Sequence, residues 1–407
     1  VFLIKIITFA YMNLSDRIKQ LVDNQFDALV ATRRHLHSHP ELSFKEFETT
    51  AFIAKSLQER GYDLQQITET GGFVDIKGKN PNKRTVALRG DIDALPIKEQ
   101  NTTSYTSKNE GIMHACGHDV HTTNVLGAIA ILDELKDEFE GTVRCIFQPG
   151  EERLPGGASI MIKNGVLKNP EVESIFGQHV MPLVDAGKVG FRSGLYMASA
   201  DEIYIKVIGK GGHGAHPHQN VDPVMIAAQL ITQLQTIPSR RAKPSIPTVL
   251  SIGKVIAEGS TNIIPNEVYM EGTFRTYDEA WRAEAHQLIV QMCEDTCKLH
   301  GARCEAEVRK GYPFLMNNEN LTNKARHWAE EYLGVENVVD LELWPAGEDF
   351  AFYSQEIPAC FYRLGTRNEA QGKTSMVHTP TFDIDEEALK IGAGLMAFLA
   401  LKELAED

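Results

Sequence analysis

Residues Thr142–Glu152, TVRCIFQPGEE, decide how this chain is read. Thr142–Gln148 has the β-branched and aromatic content of a strand, Pro149–Gly150 is a turn, and Glu151 and Glu152 follow at once. The runs on either side repeat the pattern. Thr85–Arg89 is strand-like and enters Gly90-Asp91-Ile92-Asp93, while Ser174–Val180 is strand-like and ends at His179. An amphipathic helix is expected over Gly117–Leu135 and another near Ala158–Asn164. Strands alternating with helices predict a three-layer α/β domain around a mostly parallel sheet. Such sheets collect ligands at the carboxyl ends of their strands, so Asp91, Asp93, Glu151, Glu152 and His179 are expected in one site.

Upstream, apolar residues at helical spacing predict a helix over Ser15–Thr32 with Ser15 as N-cap, and a second helix over Phe44–Arg60. After about Ala198 the pattern changes. Four alternating strands (Asp201–Gly209, Thr248–Val255, Glu267–Arg275, Ala302–Arg309) and two helices (Asp222–Gln235, Ala280–His300) predict a compact α+β insert. Helix–strand alternation returns from about Leu315. A discontinuous catalytic domain over 12–197 and 315–407, interrupted by a smaller domain over 198–314, is the expected organisation.

With 407 residues the chain has length for a large core and more than one domain. The net charge of −14 opposes phosphate backbones and anionic membranes, so neither nucleic acid nor membrane is an expected partner. Six cysteines are too few for a disulfide scaffold. Cys293, Cys297 and Cys304 near His300 are read as buried or incidental thiols. The apolar stretch Val1–Tyr11 is too short to span a bilayer and lacks the features of a signal peptide. It is read as an extension the fold does not need, with the cytoplasm as the default location.

The donor types point to chemistry. Cys116 and His118 sit where a helix opens, in MHACGHDVHT (Met113–Thr122), and taken alone serve equally as metal ligands, as nucleophile and base, or as structure. Glu151 and Glu152 are adjacent, so an extended backbone aims them oppositely: one at a metal, the other at a water whose proton it takes. Proximity of the two carboxylates is expected to raise the pKa of that base. An exposed acidic loop is the alternative. The tract His35, His37 and His39 is read as structural or supporting, as is His121. His213 lies in the glycine-rich turn GKGGHGAHP (Gly209–Pro217), where the glycines suffice to shape the turn. With His179 and His378, both expected at strand ends, these residues supply soft and hard ligands plus a spare carboxylate, the set that hydrolysis by a metal-activated water requires.

Eight stretches together carry a specific likeness: RRHLHSHPELS, LRGDIDALPI, MHACGHDVHT, FQPGEE, GKGGHGAHP, STNIIP, GEDFAFY and HTPTFDID, in order from Arg33 to Asp385. The chain resembles the two-metal aminoacylase and carboxypeptidase family, in its branch of N-acyl-amino-acid and auxin-conjugate amidohydrolases. The resemblance implies a zinc-peptidase-like catalytic domain with an inserted lid and dimerisation domain. Cys116, His118, Glu152, His179 and His378 are then the ligands of two divalent ions, with Cys116 where many relatives use a bridging aspartate. Zinc is the first choice because the thiolate is soft, with manganese or cobalt as alternatives. Glu151 becomes the general base and Asp93 the carboxylate behind the ligands; Asp91 stands where other branches carry a histidine ligand, and its role stays open. His213 is implied to hydrogen-bond the reacting carbonyl oxygen in the partner subunit's site, and Asn262 and Arg275 to grip the substrate carboxylate. The implied substrate is an N-acyl amino acid or short peptide, and the implied assembly a homodimer or homotetramer.

Overall fold

A computed structural model describes residues 12–406; the expectation for residues 1–11 lies outside them. The chain forms two compact units. One comprises the chain up to Gly194, Met316–Glu342 and the chain from Phe352 on; the other comprises Leu195–Leu315 and Leu343–Ala351. Leu343–Ala351 therefore packs with the insert, whereas its sequence position suggested the catalytic domain. Backbone bonds hold it there: the Ala198 N–H donates to the Trp344 carbonyl (3.2 Å) and the Trp344 N–H to the Tyr196 carbonyl (2.9 Å).

The first unit is built on seven strands: β1 (Gly72–Lys77), β2 (Thr85–Asp91), β3 (Thr142–Gln148), β4 (Ser174–Asp185), β5 (Val189–Phe191), β6 (Val338–Asp340) and β7 (Ala359–Arg367). Their order across the sheet is β1-β3-β2-β4-β7-β5-β6. The pairs β2–β3, β2–β4, β4–β7 and β5–β6 are parallel, while β1–β3 and β5–β7 are antiparallel. Every residue of β2 and β3 is buried, so both faces of these strands are covered, as parallel strands between helices require. The helices Leu14–Ser38, His118–Leu135 and Ala388–Leu404 pack on one another, with Leu29 and Ala393 meeting at Gly127, where an added Cβ would stand 2.7 Å from each. The register sets Asp91 opposite Gln148. The β2 and β3 strands therefore deliver Asp91–Asp93 and Glu151–Glu152 to the same sheet edge.

Several boundaries differ from the sequence reading. The first helix is capped by Asn13, whose side chain accepts the Asp16 N–H, and Ser15 is buried in its first turn. It also runs on to Ser38, so His35 and His37 are helical and point different ways. The second helix starts at Phe47, because Phe44 has φ 64°, outside any right-handed helix. Strand β4 does not end at His179: pairing with β7 carries it to Asp185. His378 lies in the loop between β7 and the last helix rather than at a strand end, with φ 62°.

In the second unit, four antiparallel strands run in the order Arg303–Arg309, Asp201–Ile208, Glu267–Thr276, Thr248–Ile256. Ile203, Ile205 and Val207 face a core closed by the helices Pro223–Leu234 and Glu279–Leu299. The alternation is that of a sheet covered on one face. No described helix is long and apolar enough to cross a membrane.

Candidate metal centre

Cys116 precedes the helix His118–Leu135, whose N-cap, Gly117, has φ 84° and lies so near Val180 that an added Cβ would stand 2.5 Å from its side chain. Only glycine fits that corner, which turns Cys116 and His118 into one space. The Cys116 Sγ lies 3.4 Å from His179 Nε2 and 3.2 Å from His378 Nε2. His378 Nε2 is also 3.2 Å from Glu152 Oε1. Donors around a tetrahedral ion with bonds of about 2.0–2.3 Å stand roughly 3.3–3.8 Å apart, so these separations suit an ion between them. Two triads of potential donors result, Cys116–His118–His179 and Cys116–Glu152–His378, and Cys116 belongs to both.

The hydrogen bonds fix which ring nitrogens face inward. His118 Nδ1 donates to Asp93 Oδ1 (3.1 Å) and His179 Nδ1 donates to the Val180 carbonyl (2.8 Å), leaving both Nε2 lone pairs toward Cys116 and the acidic groups. Buried His118 Nε2 has no hydrogen-bond partner, a cost an ion would remove. His121 differs. Its Nε2 accepts the Val180 N–H (2.9 Å), so its proton is on Nδ1 and goes to Asp91 (2.6 Å); neither nitrogen is left for a metal. Asp91, the residue whose role stayed open, is thereby held by His121 and by Arg89 (2.5 Å), with Oδ2 3.7 Å from His118 Nε2.

Electrostatics ask for a cation. Burial, with Glu152 and Glu151 adding to it, pushes the Cys116 thiol well above its usual range, so a thiolate there needs positive charge beside it. Burial drives His179 well below its usual value and keeps it neutral. For His118 burial also opposes the charged form, but Asp91 and Asp93 outweigh it and raise the ring to about 10. A cation displaces that proton, so loading is proton-linked. The residues present fit a pair of divalent ions.

Glu151 is buried beside this cluster, with a carboxylate oxygen within 4.8 Å of donor atoms of His118 and Glu152. Asp93 accepts the Ser43 hydroxyl (2.6 Å) and the Glu152 N–H (3.0 Å) besides His118. Ser43 and Glu46 escaped the sequence reading. Glu46, which burial and then Asp93 raise to about 7, accepts the Gly150 N–H at 2.9 Å. The signal was S-x-x-E over Ser43–Glu46, which resembles a helix capping box, yet the Glu46 cap position makes no side-chain cap bond. His37 joins a buried network in which Arg33 contacts Asp119 and Asp383, each at 2.8 Å. His35 stacks on Phe52 (ring centroids 4.3 Å), and His39 Nδ1 donates to the His35 carbonyl.

In the second unit His213 pairs with Ile263 in a two-stranded ribbon, and the Gly214 N–H donates to the Asn262 carbonyl (2.8 Å), so His213 and Asn262 are neighbours. Arg275 lies on the strand Glu267–Thr276 and donates from Nε to Thr273 (3.0 Å). A Cβ on Gly347 would come within 3.2 Å of its guanidinium. Cys293, Cys297 and Cys304 pack in or against the core of this unit and form no metal-holding group among the described residues.

Residues 87–402 match the Peptidase family M20/M25/M40. The chain is 43% identical over 303 residues to an N-acyl-L-amino acid amidohydrolase of Geobacillus stearothermophilus, covering 74% of this chain and 81% of that one. It is 37% identical over 395 residues to thermostable carboxypeptidase 2 of Saccharolobus solfataricus, covering 96% and 99%. A solved Bacillus subtilis structure, described as a dinuclear metal-binding peptidase of the M20 family, superposes with a TM-score of 0.80 at 37% identity, covering 94% of this chain and 99% of that one. With its mixed sheet, its cluster of candidate ligands and these relatives, the chain belongs to the M20/M25/M40 peptidase family and is a hydrolase of linear amides.

Proposed function

We propose that the protein cleaves the amide bond of N-acyl-L-amino acids in a centre holding two divalent ions, zinc first among them and manganese or cobalt as alternatives. Cys116, His118 and His179 would hold one ion and Cys116, Glu152 and His378 the other. The shared thiol at 3.2–3.4 Å from two imidazoles, with Glu151 buried alongside, is the observation that carries the reading. Bound ions supply Lewis acidity and bring the pKa of water from about 16 toward about 7. Glu151 takes the proton of the attacking water and returns it to the leaving nitrogen. Asp93 keeps His118 in the Nδ1–H form and steadies the Glu152 backbone. His213 donates to the carbonyl oxygen as it gains charge, and Asn262 and Arg275 hold the substrate carboxylate, a planar guanidinium matching it in bidentate fashion.

The working form is a homodimer or homotetramer joined through the insert, in the cytoplasm. Likeness to a Saccharolobus carboxypeptidase supports short peptides as a second substrate class for the same centre. A panel of N-acyl amino acids and dipeptides, assayed with Glu151→Gln and wild type after elemental analysis, tests the proposal. Glu151→Gln is expected to keep both ions and lose turnover by about two to four orders of magnitude, the contribution of a positioned general base. A metal-replete Glu151→Gln protein working at wild-type rate refutes the role of the base. Activity that survives metal removal but falls to thiol alkylation would point to Cys116 as nucleophile instead.

A further inference from the structure

We infer that Glu46 is a positioning residue for Glu151, acting through the backbone of the Pro149–Gly150 turn. The inference deepens the proposed function and rests on Glu151 being the base. Glu46 is fully buried, and its Oε1 accepts both the Phe44 N–H and the Gly150 N–H at 2.9 Å. Its Oε2 accepts the Thr70 hydroxyl at 2.6 Å. Glu151 is therefore flanked by two anchored amides: Gly150 N–H on Glu46, and Glu152 N–H on Asp93 at 3.0 Å. Two carboxylates from separate segments clamp the three-residue turn on either side of the base.

The clamp holds strained backbone. Gly150 has φ 60°, and a Cβ there would stand 2.3 Å from the Phe44 ring. Phe44 itself has φ 64°, a left-handed conformation that a bulky residue rarely adopts. Glu46 bonds to both amides at once, so one side chain ties the loop that carries the strain to the turn that carries Glu151. What the role demands is an acceptor oxygen at the right reach, and charge is secondary.

Reach and charge separate in two variants. Glu46→Gln keeps the length and one acceptor oxygen, while Glu46→Asp keeps the charge and withdraws it by a methylene. In the metal-loaded enzyme assayed on N-acetyl amino acids, Glu46→Asp is expected to lower kcat about 10- to 100-fold with KM within about twofold, since displacement near 1 Å costs up to roughly 10² in rate. Glu46→Gln is expected to stay within about threefold of wild type. Both should retain two ions by elemental analysis. Hydrogen exchange of the peptide spanning Gln148–Arg153 should accelerate in Glu46→Asp and not in Glu46→Gln. Should Glu46→Asp not fold, Thr70→Val, which frees Oε2, is expected to shift kcat and exchange the same way by a smaller factor. Wild-type kcat and exchange in Glu46→Asp or Thr70→Val, equal losses in Glu46→Asp and Glu46→Gln, or loss of metal from both, overturn the inference. The exchange measurement reads the clamp whether or not Glu151 is the base. Failure of the proposed mechanism, seen in Glu151→Gln, is therefore distinguishable from failure of the clamp.

Discussion

Replacing Asp93 by asparagine removes one acceptor and creates one donor in a place with no use for it. Asp93 accepts three hydrogen bonds: His118 Nδ1–H on Oδ1 at 3.1 Å, and the Ser43 hydroxyl and Glu152 N–H on Oδ2 at 2.6 and 3.0 Å. If the asparagine oxygen stays with Ser43 and Glu152, its NH2 group faces His118 Nδ1. That nitrogen must then accept, and the ring proton moves to Nε2, the atom proposed to ligate. If the amide turns over, NH2 faces the Glu152 N–H, two donors in contact within a buried site, at a cost of about 1–3 kcal/mol. Either way a ligand is misoriented or protonated. Loss of such a supporting carboxylate lowers metal affinity about 10- to 100-fold, or roughly 1.4–2.8 kcal/mol. Competition titration against a chromophoric chelator at fixed neutral pH measures it. Ser43→Ala, which leaves the other two bonds in place, should stay within about threefold. Wild-type affinity for both ions in Asp93→Asn, or an equal loss in Ser43→Ala, refutes the tautomer argument.

Two further outcomes follow from other parts of the molecule. His213→Ala should lower kcat by about 10²–10³ with metal content unchanged, as for other donors to a developing oxyanion; kinetics on several N-acyl amino acids with elemental analysis would check it, and full activity on all of them would remove His213 from the mechanism. Asp383 supplies a pH dependence. Burial opposes its charge, but Arg33, Lys373 and the Ile384 N–H hold it down to about 2, below the usual 3.8. A depressed carboxyl contributes stability that is present above about pH 4 and fades as pH falls through about 2, here about 2 kcal/mol. Urea melts of chelator-treated wild type and Asp383→Asn should therefore differ most above pH 4 and converge toward pH 2; parallel curves across that range would contradict the assignment.

What the sequence discloses best is set by pattern. β2 and β3 are strand-like runs, the first ending at Asp91 and the second followed three residues later by Glu151, and parallel pairing puts those ends together, so Asp91, Asp93, Glu151 and Glu152 can be grouped from pattern alone. Cys116, His118 and His378 are grouped by family likeness, since nothing local announces that His378 returns across more than 250 residues to meet Cys116. Left-handed backbone at Phe44 and His378 is invisible to propensity, because tertiary contacts impose it: the His378 N–H is held on the Ala115 carbonyl at 2.7 Å. Ser43 and Glu46 sit at the start of a helical stretch with nothing local to mark them as part of a site. Their partners, Asp93 and Gly150, lie 50 and 104 residues away, and local reading does not extend that far.

The five candidate ligands are unequally covered. The side chain of His378 is 52% exposed, while that of His118 is wholly enclosed and Glu152 is 13% exposed. On the proposed assignment, His378 would belong to the more accessible of the two ion seats and His118 to the enclosed one. Their residence times would then diverge, and a mild competitor would be expected to empty the outer seat first and leave a singly loaded protein. A different divalent metal added afterwards would occupy that seat alone, yielding a heterobimetallic species with each element in a known position.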